Sequence, residues 1–316
     1  MRLQRIVLDC AAVFALGFFA GCAGTARDAV PFESQHAGSA ARSFMTPEVR
    51  ASGAQLVYLS AFVAGTVYVY DQGGKSQQPI GQIGGLQAPA GLAVTSKGDL
   101  YVASQLNGTV SAFHQGATTP FKVLTGGASL RGVAVDAKGT VYANNGFSNQ
   151  IYVWAHGSTS PSETLTAAFT DDCDYVALDA NGNLFVDSIF GEFEEFPKGK
   201  KTPIKLFTSN AYTSPFGMAF DAAGDLITAW SGGAVVTYTP AYNGTTLGTF
   251  KYGGLIYAVA LAKSGKTLWA GNMTGPGATV GQSYGLPKGK LLDSTSSIDI
   301  ADDSILGVAT YPPALK

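Results

Sequence analysis

The sequence predicts an all-β fold, a six-bladed β-propeller built from four-stranded blades. Two observations lead to this prediction: a strand–turn–strand motif that recurs along the chain, and a composition suited to short strands. Of the 316 residues, 46% are apolar, 13% are charged and 40 are glycine. Such a composition favours many short strands joined by tight turns over exposed amphipathic helices.

Each copy of the motif has an apolar triplet centred on alanine, a turn containing glycine, and a second apolar strand. The copies begin at Gly91, Gly132, Tyr175, Gly217, Ala258 and Gly307, and the last copy is truncated. Successive copies are 41, 43, 42, 41 and 49 residues apart. A period of this size corresponds to four short strands, which is one propeller blade.

The two ends of the chain are predicted to share one blade. We expect the alanine-centred triplet to be the innermost strand, strand a, with strands b, c and d following it outward. The sixth copy ends where strand b should begin, whereas residues 56–60 and 66–70 resemble strands b and c that lack a strand a. Joining the two segments closes the ring and leaves no exposed strand edge.

The repeated positions have structural explanations. The central alanine of each triplet is expected to lie where neighbouring blades crowd together, so that a valine there would cost roughly 1–3 kcal/mol. The glycine between strands a and b is expected to adopt a positive φ. The positions that differ between copies are therefore the better candidates for function.

The first residues resemble the signal peptide of a bacterial lipoprotein. Arg2 and Arg5 precede a mostly apolar run, and Phe19-Ala-Gly-Cys22 resembles a lipobox, in which the cysteine becomes the acylated first residue of the mature protein. This predicts a signal peptide at 1–21, a flexible tether at 22–52 and the propeller at 53–316. The alternative is an ordinary signal peptide cleaved a few residues away.

These features predict an exported protein of the bacterial cell envelope, attached to the membrane through a lipid on Cys22 only. In Gram-negative lipoproteins an aspartate after the cysteine favours inner-membrane retention, and the Ala23 found here implies sorting to the outer membrane. The formal charge is −2 and no basic run is present, which disfavours nucleic-acid binding. Cys173 would be the one unacylated cysteine of the mature chain, so no intrachain disulfide is predicted.

The repeat resembles the NHL class of six-bladed propellers, most closely at residues 132–142 and 217–226. The resemblance covers about residues 55–312 and implies a fold rather than an activity, because this architecture carries unrelated functions. Streptogramin lyase-like relatives use histidine, but His114 and His156 both follow strand c, away from the usual site. Gluconolactonase-like relatives bind a divalent cation at the channel mouth with acidic and amide side chains.

The variable positions of one face form the predicted site, because connections from strand d to strand a and from strand b to strand c share that face. The candidate ligand-binding residues are Arg131, Asn145, Asp174, Asp187, Trp230 and Asn272. Asp174 precedes strand a and Asp187 ends strand b of the same blade, and these two residues are the candidate ligands for Ca²⁺ or Mg²⁺. The alternative is that these residues only form turns, which Asp and Asn favour.

The leading hypothesis is a binding module of the cell envelope, a monomeric domain whose partner is an envelope protein, a glycan or a small molecule. No cofactor is required by this hypothesis. The alternative is a metal-dependent, lactonase-like hydrolase or a lyase with its site at the channel mouth.

Overall fold

A computed structural model describes residues 55–72, 79–209, 214–251, 255–273, 281–286, 290–295, 304–311 and 313. All of them belong to the larger of two compact units, Ala41–Lys316. The predicted signal peptide, the tether and Cys22 lie outside the described residues. Within the described ranges, no helix has the length and apolar character needed to cross a membrane.

The described part of the chain forms twenty-four strands, rich in the branched and aromatic residues that pack well on a pleated surface. The first twelve are β1 (Leu56–Ala61), β2 (Thr66–Asp71), β3 (Gly81–Ile83), β4 (Pro89–Val94), β5 (Leu100–Ser104), β6 (Thr109–Phe113), β7 (Lys122–Leu124), β8 (Leu130–Val135), β9 (Val141–Asn145), β10 (Gln150–Trp154), β11 (Glu163–Thr166) and β12 (Cys173–Leu178). The others are β13 (Leu184–Ser188), β14 (Glu192–Phe196), β15 (Ile204–Thr208), β16 (Pro215–Phe220), β17 (Leu226–Trp230), β18 (Ala234–Tyr238), β19 (Thr246–Lys251), β20 (Leu255–Leu261), β21 (Thr267–Met273), β22 (Gly281–Gly285), β23 (Lys290–Thr295) and β24 (Ile305–Tyr311).

These strands form four-stranded antiparallel sheets, the blades of an all-β propeller. Five sheets each contain four consecutive strands, starting at β4, β8, β12, β16 and β20. A further sheet has the order β24-β1-β2-β3, in which Ala309 lies opposite Tyr58. Five blades are established, and the count of six blades and the closure of the ring stay predictions.

The alanine-centred strands contact one another in the order β4, β8, β12, β16, β20 and β24, and β24 also contacts β4. Their backbones come closest at the glycine two residues before the alanine. A Cβ on Gly132 would lie 2.8 Å from the Val176 nitrogen, and a Cβ on Gly217 would lie 2.9 Å from the Ala258 Cα. These glycines therefore have no room for a side chain, and the crowding expected at the alanines stays a prediction.

The turns between strands a and b adopt the predicted backbone conformation, as the turn between β8 and β9 illustrates. Gly139 has a φ of 82°. Before it, Asp136 Oδ1 accepts hydrogen bonds from the backbone nitrogens of Lys138 and Thr140, at 2.9 and 2.8 Å. The aspartate stabilises the turn because its side chain replaces a backbone acceptor.

The hydrophobic core lies between neighbouring sheets. Between the sheet that starts at β12 and the sheet that starts at β16, the rings of Phe193 and Phe207 stack with centroids 4.6 Å apart, and Tyr238 lies 4.8 Å from Phe207. Trp230 is fully buried in the same cluster. Each interface is thus filled by large side chains from two sheets, which fixes how the inner strands surround the axis.

Candidate functional site

Three of the predicted site residues, Arg131, Asp174 and Asp187, form one electrostatically coupled group near the start of β12. Arg131 on β8 forms an ion pair with Asp174 on β12 through Nη1 and Oδ1. The Asp174 side chain is only 1% exposed, while that of Arg131 is 23% exposed. The Arg131 guanidinium also lies 5.4 Å from the centre of the Phe147 ring. Arg131 therefore covers a buried carboxylate and remains partly open to solvent itself.

Burial dominates the protonation of both carboxyl groups. It raises the pKa of Asp174 to about 6, although the nearby Arg131 charge acts in the opposite direction. Burial, and then repulsion by Asp174, raise the pKa of Asp187 well above its ordinary value. In both residues Oδ2 is buried without a hydrogen-bond partner.

The other oxygen of Asp187 joins two strands of its own sheet, β13 and β12. Oδ1 accepts a hydrogen bond from the Tyr175 nitrogen at 2.7 Å. Asn144 occupies the equivalent place in the preceding sheet, where its Oδ1 accepts from the Gly132 nitrogen at 2.8 Å and its Nδ2 donates to the Cys173 carbonyl at 2.9 Å. The asparagine satisfies both ends of its side chain, whereas the aspartate leaves one oxygen unpaired.

This comparison predicts that Asp187→Asn stabilises the protein. The new amide keeps the bond to Tyr175 and replaces the unpaired Oδ2 with a donor of the kind that Asn144 uses toward the Cys173 carbonyl. We expect the free energy of unfolding to rise by about 1–2 kcal/mol in urea denaturation at pH 7. Asn144→Asp is the reciprocal control and should destabilise the protein, because it removes a buried donor. A destabilised Asp187→Asn would contradict the assignment.

The remaining candidates are not brought into this group. Trp230 donates from Nε1 to Thr228 Oγ1 at 2.7 Å and lies in the core. Asn145 ends β9, where its Oδ1 accepts from the Phe147 nitrogen at 3.0 Å in a turn. Asn272 lies on β21, and its side chain is outside the described part of the structure. Among the described residues, no three His, Cys, Asp or Glu side chains converge on a point where a metal ion could bind.

A cavity of about 510 Å³ lies between the inner strands. It is at the end of these strands that carries the turns between strands a and b. Its wall consists of the repeated triplets, 92–94, 133–135, 176–178, 218–220, 259–261 and 308–310. Thr310 is the polar exception in these triplets, and its hydroxyl donates to the Leu261 carbonyl at 2.6 Å. The alanines that build the scaffold thus also line an apolar chamber.

Tyr175 lies at the inner end of this cavity, in the place where most copies of the repeat have glycine. It is 6% exposed, and it belongs to the core cluster that also contains Phe185 and Met218.

The mouth of the cavity is polar. Its charged groups are Lys97, Asp99, Asp136, Lys138, Asp179 and Lys198, together with His156. Sequence analysis placed His156 at this end of the molecule but did not predict a cavity here. One signal available in the sequence was Tyr175, which stands where four of the six copies of the repeat have glycine.

Comparisons with known proteins agree on the fold alone. No protein-family model matches the chain, and no curated protein matches it. Among solved structures, a hydrazine synthase chain from Kuenenia stuttgartiensis is similar over 69% of this chain and 67% of its own, with 13% identity and a TM-score of 0.54. A functionally unknown protein from Desulfotomaculum acetoxidans is similar over 82% of this chain and 99% of its own, with 14% identity and a TM-score of 0.59.

Proposed function

We propose that the propeller is a non-catalytic binding module of an exported, lipid-anchored protein of the bacterial cell envelope. The observation that carries this proposal is the 510 Å³ cavity, which is lined by the alanine-centred triplets and has a polar mouth. Cavities of this size and lining accommodate small molecules. A small molecule is therefore the favoured partner over an envelope protein or a glycan.

The proposal includes a closed ring of six blades in the manner of NHL-type propellers. Two observations support it: β24 pairs with β1 from Ile305 to Tyr311, and the six inner strands contact one another in a complete circle. A closed ring holds the cavity wall rigidly, because every inner strand is braced on both sides. A rigid wall favours binding of a preformed shape.

The second candidate function is a metal-dependent hydrolase or lyase whose site contains Asp174 and Asp187. The unpaired Oδ2 atoms of these two residues favour it, since buried carboxylate oxygens are ligands for Ca²⁺ and Mg²⁺. Two observations weigh against it: Arg131 already neutralises Asp174, and the described residues supply no third acidic ligand.

A thermal-shift measurement with Ca²⁺ and Mg²⁺ distinguishes the two functions. For the binding module we expect no rise in Tm with either ion, in the wild type or in Asp187→Asn. A rise in the wild type that is lost in Asp187→Asn would overturn the binding-module proposal in favour of the metal-dependent enzyme, because a bound ion stabilises the folded state by mass action.

The lipid anchor has a separate test. Cys22→Ala should move the protein from the membrane fraction to the soluble fraction, because it removes the thiol that would carry the lipid. Cys173→Ala is the matched control, since that thiol is buried, and it should leave the distribution unchanged. Continued membrane attachment of Cys22→Ala would overturn the anchor.

A further inference from the structure

We propose that the cavity binds a small amphipathic acid, with its apolar chain inside the channel and its carboxylate at the lysines of the mouth. This inference rests on the proposed binding function and names the class of ligand. It differs from the predicted site in position and in chemistry, because the cavity opens at the end opposite to Arg131, Asp174 and Asp187.

The wall selects an apolar body. Each inner strand contributes a triplet centred on alanine, and the residue before each alanine is buried in the core. The triplet residues that remain partly exposed are all apolar: Ala93, Val94, Val135, Leu178, Ala219 and Ala260. The Thr310 hydroxyl is already bonded to Leu261, so it offers no free donor. Apolar surface that is removed from water here contributes to binding in proportion to its area.

The charged groups lie at one end of the cavity only. All of the charged lining residues belong to the turns that follow the triplets or lie next to them, whereas Tyr175 precedes its triplet at the other end. A polar group placed among the triplets would lose its hydration. The ligand therefore enters tail first and leaves its head at the mouth.

The mouth selects an acidic head, because its carboxylates are engaged and two of its ammonium groups are not. Asp136 and Asp179 accept hydrogen bonds from the backbone nitrogens of their own turns. Asp99 pairs with His114 at 2.9 Å. Of the ion pairs between described residues, none includes Lys97 or Lys138, whose side chains are exposed on adjacent blades.

The depth of the cavity indicates the length of the chain. From Leu92 on β4 to Ser96 in the turn that follows, the chain can cover at most about 14 Å. A zigzag chain of ten carbons, which advances about 1.25 Å for each bond of about 1.5 Å, is about 11 Å long and fits within this depth. Decanoate is therefore a suitable probe.

Isothermal titration calorimetry with decanoate, and with decanol as the uncharged probe of equal chain length, tests the inference. We expect one saturable site for decanoate and at least about fivefold weaker binding of decanol. Lys97→Glu and Lys138→Glu should each weaken decanoate binding about fivefold and leave decanol binding unchanged. Lys251→Glu makes the same change in net charge on an exposed residue at the far end of β19 and should have no effect.

The outcomes separate this inference from the proposed function. Equal binding of decanoate and decanol would overturn the acidic head while the cavity remains a binding site. The same conclusion would follow if Lys251→Glu weakened decanoate binding as much as Lys97→Glu and Lys138→Glu do. Absence of decanoate binding in a protein that shows no response to Ca²⁺ or Mg²⁺ would overturn the ligand class and leave the binding module in place. The substituted lysines are exposed, so these variants are expected to fold.

Discussion

Replacing Arg131 with alanine is expected to lower the free energy of unfolding by about 3–5 kcal/mol at pH 8, since it leaves Asp174 as a buried charge without its partner. Asp174 is 2% exposed, and its Oδ2 has no other hydrogen-bond partner. Urea denaturation at fixed temperature measures the effect. The double variant Arg131→Ala/Asp174→Asn is the control and should recover most of the loss, because it removes the uncompensated charge.

The stability lost in Arg131→Ala should increase as the pH rises. The pKa of Asp174 is raised from 3.8 to about 6 in the folded protein, so the folded state binds this proton more tightly than the unfolded state does. The contribution of Asp174 to stability is therefore most favourable below pH 4 and declines as the pH rises to about 6. Without Arg131 the pKa of Asp174 rises further, so Arg131→Ala should be much less destabilising at pH 5 than at pH 8. Equal losses at the two values would contradict a charge effect.

Gly307→Ala is expected to destabilise the protein by about 2–3 kcal/mol. A Cβ at Gly307 would overlap the Ala90 carbonyl of the neighbouring sheet and lie 2.8 Å from Ser60 Oγ. Ala90 lies on the inner strand β4 and Ser60 on β1, and both residues are buried, so these atoms cannot move aside cheaply. The thermal or urea midpoint of the variant measures the cost.

Gly248→Ala is the matched control for this substitution. Gly248 also lies in a strand, β19, but a Cβ there would meet no atom within 4 Å. We expect a change within about 0.5 kcal/mol, with a slight gain from the lower entropy of the unfolded chain. Equal effects of the two variants would show that β24 is not packed against the sheet that contains Ala90.

The strand pattern could be predicted from the sequence because each motif acts locally. The alanine-centred triplets form the inner strands, and the first two predicted strands of the chain, 56–60 and 66–70, correspond to β1 and β2. β1 pairs with β24, while the closed ring of six blades stays a prediction. Repetition made these predictions possible, because a pattern that recurs at a fixed spacing indicates a repeated backbone structure and does not depend on any single side chain.

The site could be predicted only in part, because side-chain contacts between blades are not periodic. Topology placed Asp174 and Asp187 near one another, but it could not show that Arg131 neutralises the first or that Asn144 shares the bracing role of the second. The cavity is lined by residues of all six inner strands, so it depends on how the sheets are arranged around the axis, which no single segment of the sequence specifies. The repeated triplets were interpreted as scaffold alone, although they also form the wall of the cavity.

The most direct test of the proposed ligand site is a crystal structure with ω-bromodecanoate, in which the bromine marks the end of the tail. The proposed mode of binding predicts an anomalous peak inside the channel beside Tyr175, with the carboxylate near Lys97 and Lys138. A bromine at the mouth, or on the face that contains Arg131, would contradict it.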